Sequence, residues 1–247
     1  MWKQFQKVGT ARVIPSYTGF MTYSAIVLAA GSGTRSGLSY NKVLFPYKNR
    51  PLLEYSIDLF EKDPDCKQVI VVCAPKELAE FEKRFKKEKT LFTAGGHTRQ
   101  ASVYNGLMEV SEPNVLIHDG ARPFASHELI ERIKKALKYH RAVVPGIEVV
   151  DTIKEIDDNG YFIRTPQRAR LRAVQTPQAF RTDLVSRALN RAMLEDFPVT
   201  DDAMAVEIFE HIRSYCVKGE LTNFKVTSAL DLQKLEREQE NREEHQK

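Results

Sequence analysis

Two glycines and two cations stand close together near the start of the chain. Leu28-Ala-Ala-Gly-Ser-Gly-Thr-Arg35 opens straight out of the apolar run Ala25-Ile-Val-Leu28, and Lys42 follows. Small residues at a strand exit let backbone N–H groups approach anionic oxygens that a Cβ would hold off. The stretch therefore reads as a phosphate cradle, with Arg35 and Lys42 supplying fixed positive charge. It is neither of the two commonest phosphate loops. After Gly31 and Gly33 the next glycine is Gly37, one place late for a dinucleotide fingerprint, and no Gly-Lys-Ser/Thr follows as in a P-loop.

Two further stretches could serve such a cradle. His118-Asp-Gly-Ala-Arg-Pro123 follows the apolar run Val115-Leu-Ile117, which puts Asp119 and Arg122 at another strand exit. Alone, the two could be no more than an ion pair. Beside bound phosphates, Asp119 could hold a Mg²⁺ ion, which needs hard oxygen ligands and few protein contacts. Arg122 could bind a second anion, and His118 reads as a packed histidine rather than a base. Gly95-Gly-His-Thr-Arg-Gln-Ala-Ser102 puts two glycines before a helix whose first turns carry Thr98 and Ser102. It is either a plain capped start or a place for a nucleobase edge or a phosphate. Arg168 and Lys225 are anonymous surface cations on these grounds alone.

The elements that must position these groups alternate. Strands are predicted at about 23–30, 68–73, 90–93, 115–118 and 142–145, with helices at about 51–62, 76–87, 98–110 and 126–139 between them. This βαβ rhythm predicts an α/β fold with a Rossmann-like, mostly parallel sheet and helices on both faces. Ligands in such a fold sit at the carboxyl ends of the strands, where both the cradle and the Asp119 bend fall. The rhythm breaks at Glu148–Ile163, where partial alternation around Asp157-Asp-Asn-Gly160 predicts a β-hairpin. Its load of Val149, Val150, Ile153, Ile156, Phe162 and Ile163 on a thin element favours an arm that packs on another subunit. Helices at about 182–195 and 200–211, strands at about 214–217 and 223–226, and a helix from Ser228 complete the pattern.

Bulk properties narrow the class. A chain of 247 residues can bury a full core as a single domain, expected at 21–235 with the arm at about 147–172. Residues 1–20 read as a disordered leader and 236–247 as a charged tail. Thirty-seven basic against thirty-three acidic residues leave a net charge of only +4, which gives no reason to invoke nucleic acid. No run is long and apolar enough to predict a membrane span. The scattered Cys66, Cys73 and Cys216 have no metal-ligand spacing and predict buried thiols in a reducing, cytoplasmic compartment.

Taken in order, the blocks around Arg35 and Lys42, Gly95–Ser102, His118–Pro123, Asp151-Thr152, Thr176-Pro-Gln178, Thr200-Asp-Asp-Ala203 and Asn223-Phe-Lys-Val-Thr227 resemble those of 2-C-methyl-D-erythritol 4-phosphate cytidylyltransferases. The resemblance covers about Met21 to Leu235. It implies transfer of a cytidylyl group from CTP to methylerythritol phosphate with release of pyrophosphate, in the non-mevalonate route to isoprenoids, with Mg²⁺ as cofactor. It further implies that Arg35 and Lys42 stabilise the pentavalent transition state. Ala29, Ala30, Gly31, Gly33, Gly96, Ser102, Asp119 and Gly120 would meet the nucleotide. Arg122, Thr152, Arg168, Thr176 and Lys225 would meet the acceptor, with Arg168 and Lys225 aligning the attacking phosphate. The arm would cross a twofold homodimer, so that Thr152 and Arg168 serve the partner's site.

The chain departs from the family pattern in two places: Asn41-Lys42-Val43 replaces the usual Pro-Lys-Gln, and the second alanine-rich loop reads Gly120-Ala121. The nearest rival reading is a ribitol 5-phosphate cytidylyltransferase, which shares the cradle and the Asp-Xaa-Ala-Arg-Pro loop. Val150–Lys154 and the sequence at Arg168 favour methylerythritol phosphate. A nucleotide-sugar glycosyltransferase would carry Asp-Xaa-Asp after a central strand, where this chain has His118-Asp-Gly120. A non-catalytic nucleotide binder would have lost a cradle cation, and none is lost.

Overall fold

The computed structural model describes residues 21–31 and 37–244. The predicted leader, together with Gly33 and Arg35 of the cradle, lies outside the described residues. The core strand β1 (Tyr23–Leu28) is followed by a small hairpin, β2 (Pro46–Tyr47) and β3 (Arg50–Pro51), and by α1 (Leu52–Glu61). Then come β4 (Cys66–Cys73), α2 (Leu78–Phe85), β5 (Thr90–Ala94), α3 (Arg99–Leu107), β6 (Asn114–Asp119), α4 (His127–Leu137) and β7 (Ala142–Glu148). The second half contains β8 (Glu155–Ile156), β9 (Phe162–Arg164), β10 (Arg172–Val174), β11 (Gln178–Arg181), α5 (Thr182–Leu194), α6 (Asp202–Phe209), β12 (Tyr215–Lys218) and α7 (Ala229–Glu244).

Alternation along β1 builds both halves of the core. Tyr23, Ala25 and Val27 face α1 and α4 through Leu53, Ile57, Phe60, Leu129 and Ile133. Ile26, from the opposite face, joins Val103 of α3 with Leu184 and Leu189 of α5. A third, smaller cluster packs Val226, Leu232 and Leu235 on Phe45, Tyr47 and Leu52, which seats α7 against the hairpin and anchors the segment that carries Lys225.

The main sheet has eight strands and is mixed, with β10 and β11 running against the common direction of the other six. β5, β4, β1 and β6 pair in parallel, and β12 runs parallel to β7. β11 is inserted between β6 and β7, antiparallel to both, and β10 is antiparallel to β7. The sequence pattern missed β10 and β11 because each is short and carries arginine, with Pro177 between them. The expected strand at 223–226 is irregular instead. Asn223 O accepts from the side chains of Arg122 (2.8 Å) and Gln175 (3.1 Å), and only the Val226 N–H to Ala121 O bond (2.9 Å) resembles sheet pairing.

The arm is shorter in strand than its alternation suggests. β7 continues through Glu148, residues 149–154 are irregular, and β8 pairs β9 over only a few residues. Val150, Ile156, Tyr161, Phe162 and Ile163 are all exposed on it. Cys66 and Cys73 are buried as expected, but Cys216 is exposed, because it sits on β12, whose residues are mostly exposed. Among the described residues, no helix is long and apolar enough to cross a membrane.

Candidate active site

Strand register decides where the site forms. Leu28 lies opposite both Val72 of β4 and Asp119 of β6, so three parallel strands end nearly level. Their exits are stitched together: Ala29 N–H donates to Val72 O (2.7 Å), and Gly120 N–H donates to Leu28 O (2.9 Å). A Cβ at residue 120 would stand 2.8 Å from Leu28 O, so only glycine permits this approach. A shared shelf results at the carboxyl ends of the strands, lined by Ala29, Ala30, Gly31 and Gly120.

The loop after β5 closes one side of the shelf. Gly95 N–H donates to Cys73 O (2.7 Å), and an added Cβ there would meet Ala30 Cβ at 2.6 Å and Ser102 Oγ at 2.9 Å. Gly96 N–H donates to Ser102 Oγ (3.1 Å), and the same hydroxyl donates to Thr98 O (2.9 Å). Thr98 caps α3 by accepting from Ala101 N–H (3.0 Å). Gly96 and Ser102 are thus bonded to each other next to Gly95, which packs closely on Ala30.

On the other side, cations converge on one carboxylate. Lys225 Nζ is 2.9 Å from Asp119 Oδ2, Arg122 Nε is 3.6 Å from the same oxygen, and Arg99 Nε is 3.5 Å from Oδ1. Asp119 is only 7% exposed. Burial alone would raise its carboxyl, but Lys225, Arg99 and Arg122 outweigh burial and hold it well below the ordinary carboxylate range. Burial likewise lowers the Arg122 guanidinium, an effect that Asp119 offsets in part.

Thr176 sits beneath this cluster. Its Oγ1 accepts from Asp119 N–H (3.0 Å) and lies 3.1 Å from His118 Nδ1, while His118 Nε2 lies 3.0 Å from Arg122 O. Arg122 in turn donates to Asn223 O (2.8 Å), and Asn223 Nδ2 donates to Thr176 O (2.8 Å). His118 is fully buried, and burial pushes its imidazole down to about 4. It packs the loop as a neutral ring, with both ring nitrogens bonded inside the protein.

Asp119, Gly120, Arg122, Thr176 and Lys225 therefore come together, and Ala29, Ala30, Gly31, Gly96 and Ser102 form the adjoining wall. Lys42, only 8% exposed, begins a short turn (Lys42–Leu44) whose preceding residue, Asn41, is bonded to Ala29 O. Thr152 and Arg168 are not brought in. Both are exposed on the arm, and Arg168 donates to Val150 O (2.6 Å) within the arm itself.

Two charged residues of the site went unrecognised in the sequence. Arg99 donates to Asp202 from both terminal nitrogens (3.1 and 2.9 Å) while reaching Asp119, and Asp202 is fully buried. Burial would lower Arg99, yet Asp202 and Asp119 raise it above its usual range. Both residues lie in blocks singled out above. The available signal was an arginine directly after the helix cap Thr98 and a second aspartate after the cap Asp201. Among the described residues, no group of three or more His, Cys, Asp or Glu side chains could hold a metal by itself.

Comparison with known proteins accounts for this combination. The family model described as 2-C-methyl-D-erythritol 4-phosphate cytidylyltransferase matches residues 23–237. A protein of that name from Clostridium botulinum (strain Eklund 17B / Type B) is 42% identical over 217 residues, covering 85% of this chain and 95% of the relative. One from Geobacillus kaustophilus (strain HTA426) is 42% identical over 220 residues, covering 86% and 94%. The fold is similar to the crystal structure of 4-diphosphocytidyl-2C-methyl-D-erythritol synthase from Anaerococcus prevotii DSM 20548, with a TM-score of 0.78, 30% identity and coverage of 89% of this chain and 97% of that one. The cytidylyltransferase from Thermus thermophilus superposes with a TM-score of 0.71 at 33% identity, covering 88% and 98%. With the match running from β1 into α7 and spanning every strand of the shelf, the chain belongs to the 2-C-methyl-D-erythritol 4-phosphate cytidylyltransferase family.

Proposed function

We infer that the chain carries out its family's reaction on the shelf between Ala29 and Asp119. It transfers the cytidylyl group of CTP to 2-C-methyl-D-erythritol 4-phosphate, giving 4-diphosphocytidyl-2-C-methyl-D-erythritol and pyrophosphate. The observation that carries the site assignment is the convergence of Lys225, Arg122 and Arg99 on the buried Asp119, level with the exit of β1. Two polyanions must meet there, and preorganised positive charge is what such a meeting requires.

In this reading a phosphate oxygen of the acceptor attacks the α-phosphorus of CTP. The new P–O bond forms as the bond to the β-phosphate oxygen breaks, and pyrophosphate leaves with the electron pair. Lys42 and Arg35 stabilise the charge of the pentavalent state. Ala29, Ala30, Gly31 and Gly33 present the cradle, while Gly96 and Ser102 meet the cytosine and ribose. Lys225, Arg122 and Thr176 hold the acceptor phosphate. No general base is needed, because that phosphate is already ionised at neutral pH. The buried, neutral His118 fits this economy.

Asp119 also fits a magnesium ion delivered on the triphosphate. It is a single, ionised, hard-oxygen donor at the shelf, which suits a metal that keeps most of its contacts with phosphates and water. When bound there, Mg²⁺ supplies charge neutralisation to the triphosphate.

The arm completes the reading. Its apolar side chains are exposed, and Thr152 and Arg168 have no bond to the Asp119 cluster of their own chain among the described residues. The arm then packs on a second copy in a homodimer, and Thr152 and Arg168 serve the partner's acceptor site. Pyrophosphate release from CTP and Mg²⁺ tests the assignment with methylerythritol phosphate, ribitol 5-phosphate or no acceptor. Turnover is expected with the first alone, and turnover with ribitol 5-phosphate alone would overturn it.

A further inference from the structure

Asn41 is buried, at 5% exposure, immediately before Lys42, and every hydrogen-bonding group of its carboxamide is used. Its Nδ2 donates to Ala29 O at 2.7 Å and to Glu77 Oε2 at 3.0 Å. Its Oδ1 accepts from Val43 N–H at 3.3 Å, and its backbone oxygen accepts from Leu44 N–H at 2.9 Å. The side chain thus ties three segments together. These are the exit of β1, the turn Lys42–Leu44, and the turn Pro75–Glu77 that follows β4. Ala29 is itself fixed to β4 through Val72 O, so the anchor is not a floppy loop end.

An amide is well suited to this place. A proline would supply neither donor, an alanine would leave the Ala29 carbonyl without its partner, and an aspartate would set a second carboxylate against Glu77. A lysine ammonium stands at the end of four rotatable bonds, so a shift of the backbone below it displaces the charge.

We propose that Asn41 is a positioning residue for Lys42, its carboxamide fastening the lysine-bearing turn to the carboxyl end of β1 so that the ammonium group is already in place when the triphosphate binds. The proposal rests on the transition-state role given to Lys42 above. Asn41 touches no substrate and acts only through its neighbour. The consequence is a loss in kcat with little change in KM for CTP, because an interaction made in the transition state is what becomes misplaced.

The test is a double-mutant cycle on the full-length enzyme with CTP, Mg²⁺ and methylerythritol phosphate. Lys42→Ala alone should lower kcat on the order of 10²- to 10³-fold. Near-normal turnover of that variant refutes the role of Lys42 itself. Asn41→Ala should lower kcat by about 10- to 100-fold while KM for CTP moves less than about threefold. Asn41→Ser keeps a hydroxyl able to cap Val43 N–H but too short for Ala29, so it guards against simple misfolding and should show the same split. In the Lys42→Ala background, either change should cost less than about twofold. An undiminished cost in that background, or a loss carried by KM, overturns the positioning role while leaving the role of Lys42 standing.

Discussion

Arg99 grips Asp202 through both terminal nitrogens, at 3.1 and 2.9 Å, and keeps its Nε 3.5 Å from Asp119. One guanidinium therefore joins the first turn of α3, the start of α6 and the end of β6. Asp202 is fully buried, so its charge depends on this partner. Replacing Asp202 leaves Arg99 only its longer contact to Asp119, and breaking a buried pair in this way costs about 3 kcal/mol. Asp202→Ala should lower unfolding stability by that order in urea titration. It should also loosen Arg99 and so reduce turnover, and a variant as stable as the parent would show that the pair is not held as described.

His118 makes stability depend on pH in a defined window. Its folded value, near 4, lies below the ordinary histidine value of about 6.5. The unfolded chain therefore binds the proton first as pH falls. The contribution is intact above about 6.5 and drains away as pH drops towards 4, a cumulative loss of about 3 kcal/mol. His118→Gln should flatten the stability profile between those limits while lowering stability at pH 7. A parent protein whose stability is level across that interval would contradict the neutral, buried ring.

Gly95→Ala places a methyl group 2.6 Å from Ala30 Cβ and 2.9 Å from Ser102 Oγ. The two walls of the proposed nucleotide site must then separate. Overpacking of this kind costs about 1–3 kcal/mol. KM for CTP is expected to rise several-fold, with KM for the acceptor little changed; if KM for CTP stayed the same, Gly95 would have no part in holding the nucleotide.

The arm makes a prediction about assembly. Phe162 and Ile163 are 69% and 60% exposed. Sedimentation velocity at micromolar concentration should find a dimer, and Phe162→Asp should shift it towards monomer with a parallel fall in turnover. A monomeric parent with full activity would remove Thr152 and Arg168 from the partner's site.

The candidate site was legible where chemistry follows from position along a strand. Ala29 to Gly31 and Asp119 to Arg122 were expected at strand exits because apolar runs end just before them, and the parallel register of β1 with β6 brings those exits level. Gly96 and Ser102 were expected at a helix start, and Thr98 caps that helix. The position of Lys225 was not legible in this way. It sits on an irregular segment whose path is set by Val226 packing under α7 and by Asn223 taking bonds from Arg122 and Gln175. Nothing local in Asn223–Thr227 announces that path.

The sequence by itself determined the α/β alternation, the two strand-exit loops and the exposed hairpin, because hydrophobic period and turn chemistry act over a few residues. Tertiary structure alone decided which charges meet. Arg99 finds Asp202 across 103 positions, and β11 slips antiparallel between β6 and β7, where no local pattern marks a strand. A buried ion takes whatever partner the packing of the whole chain leaves within reach, so its identity is written in the sequence only through the fold.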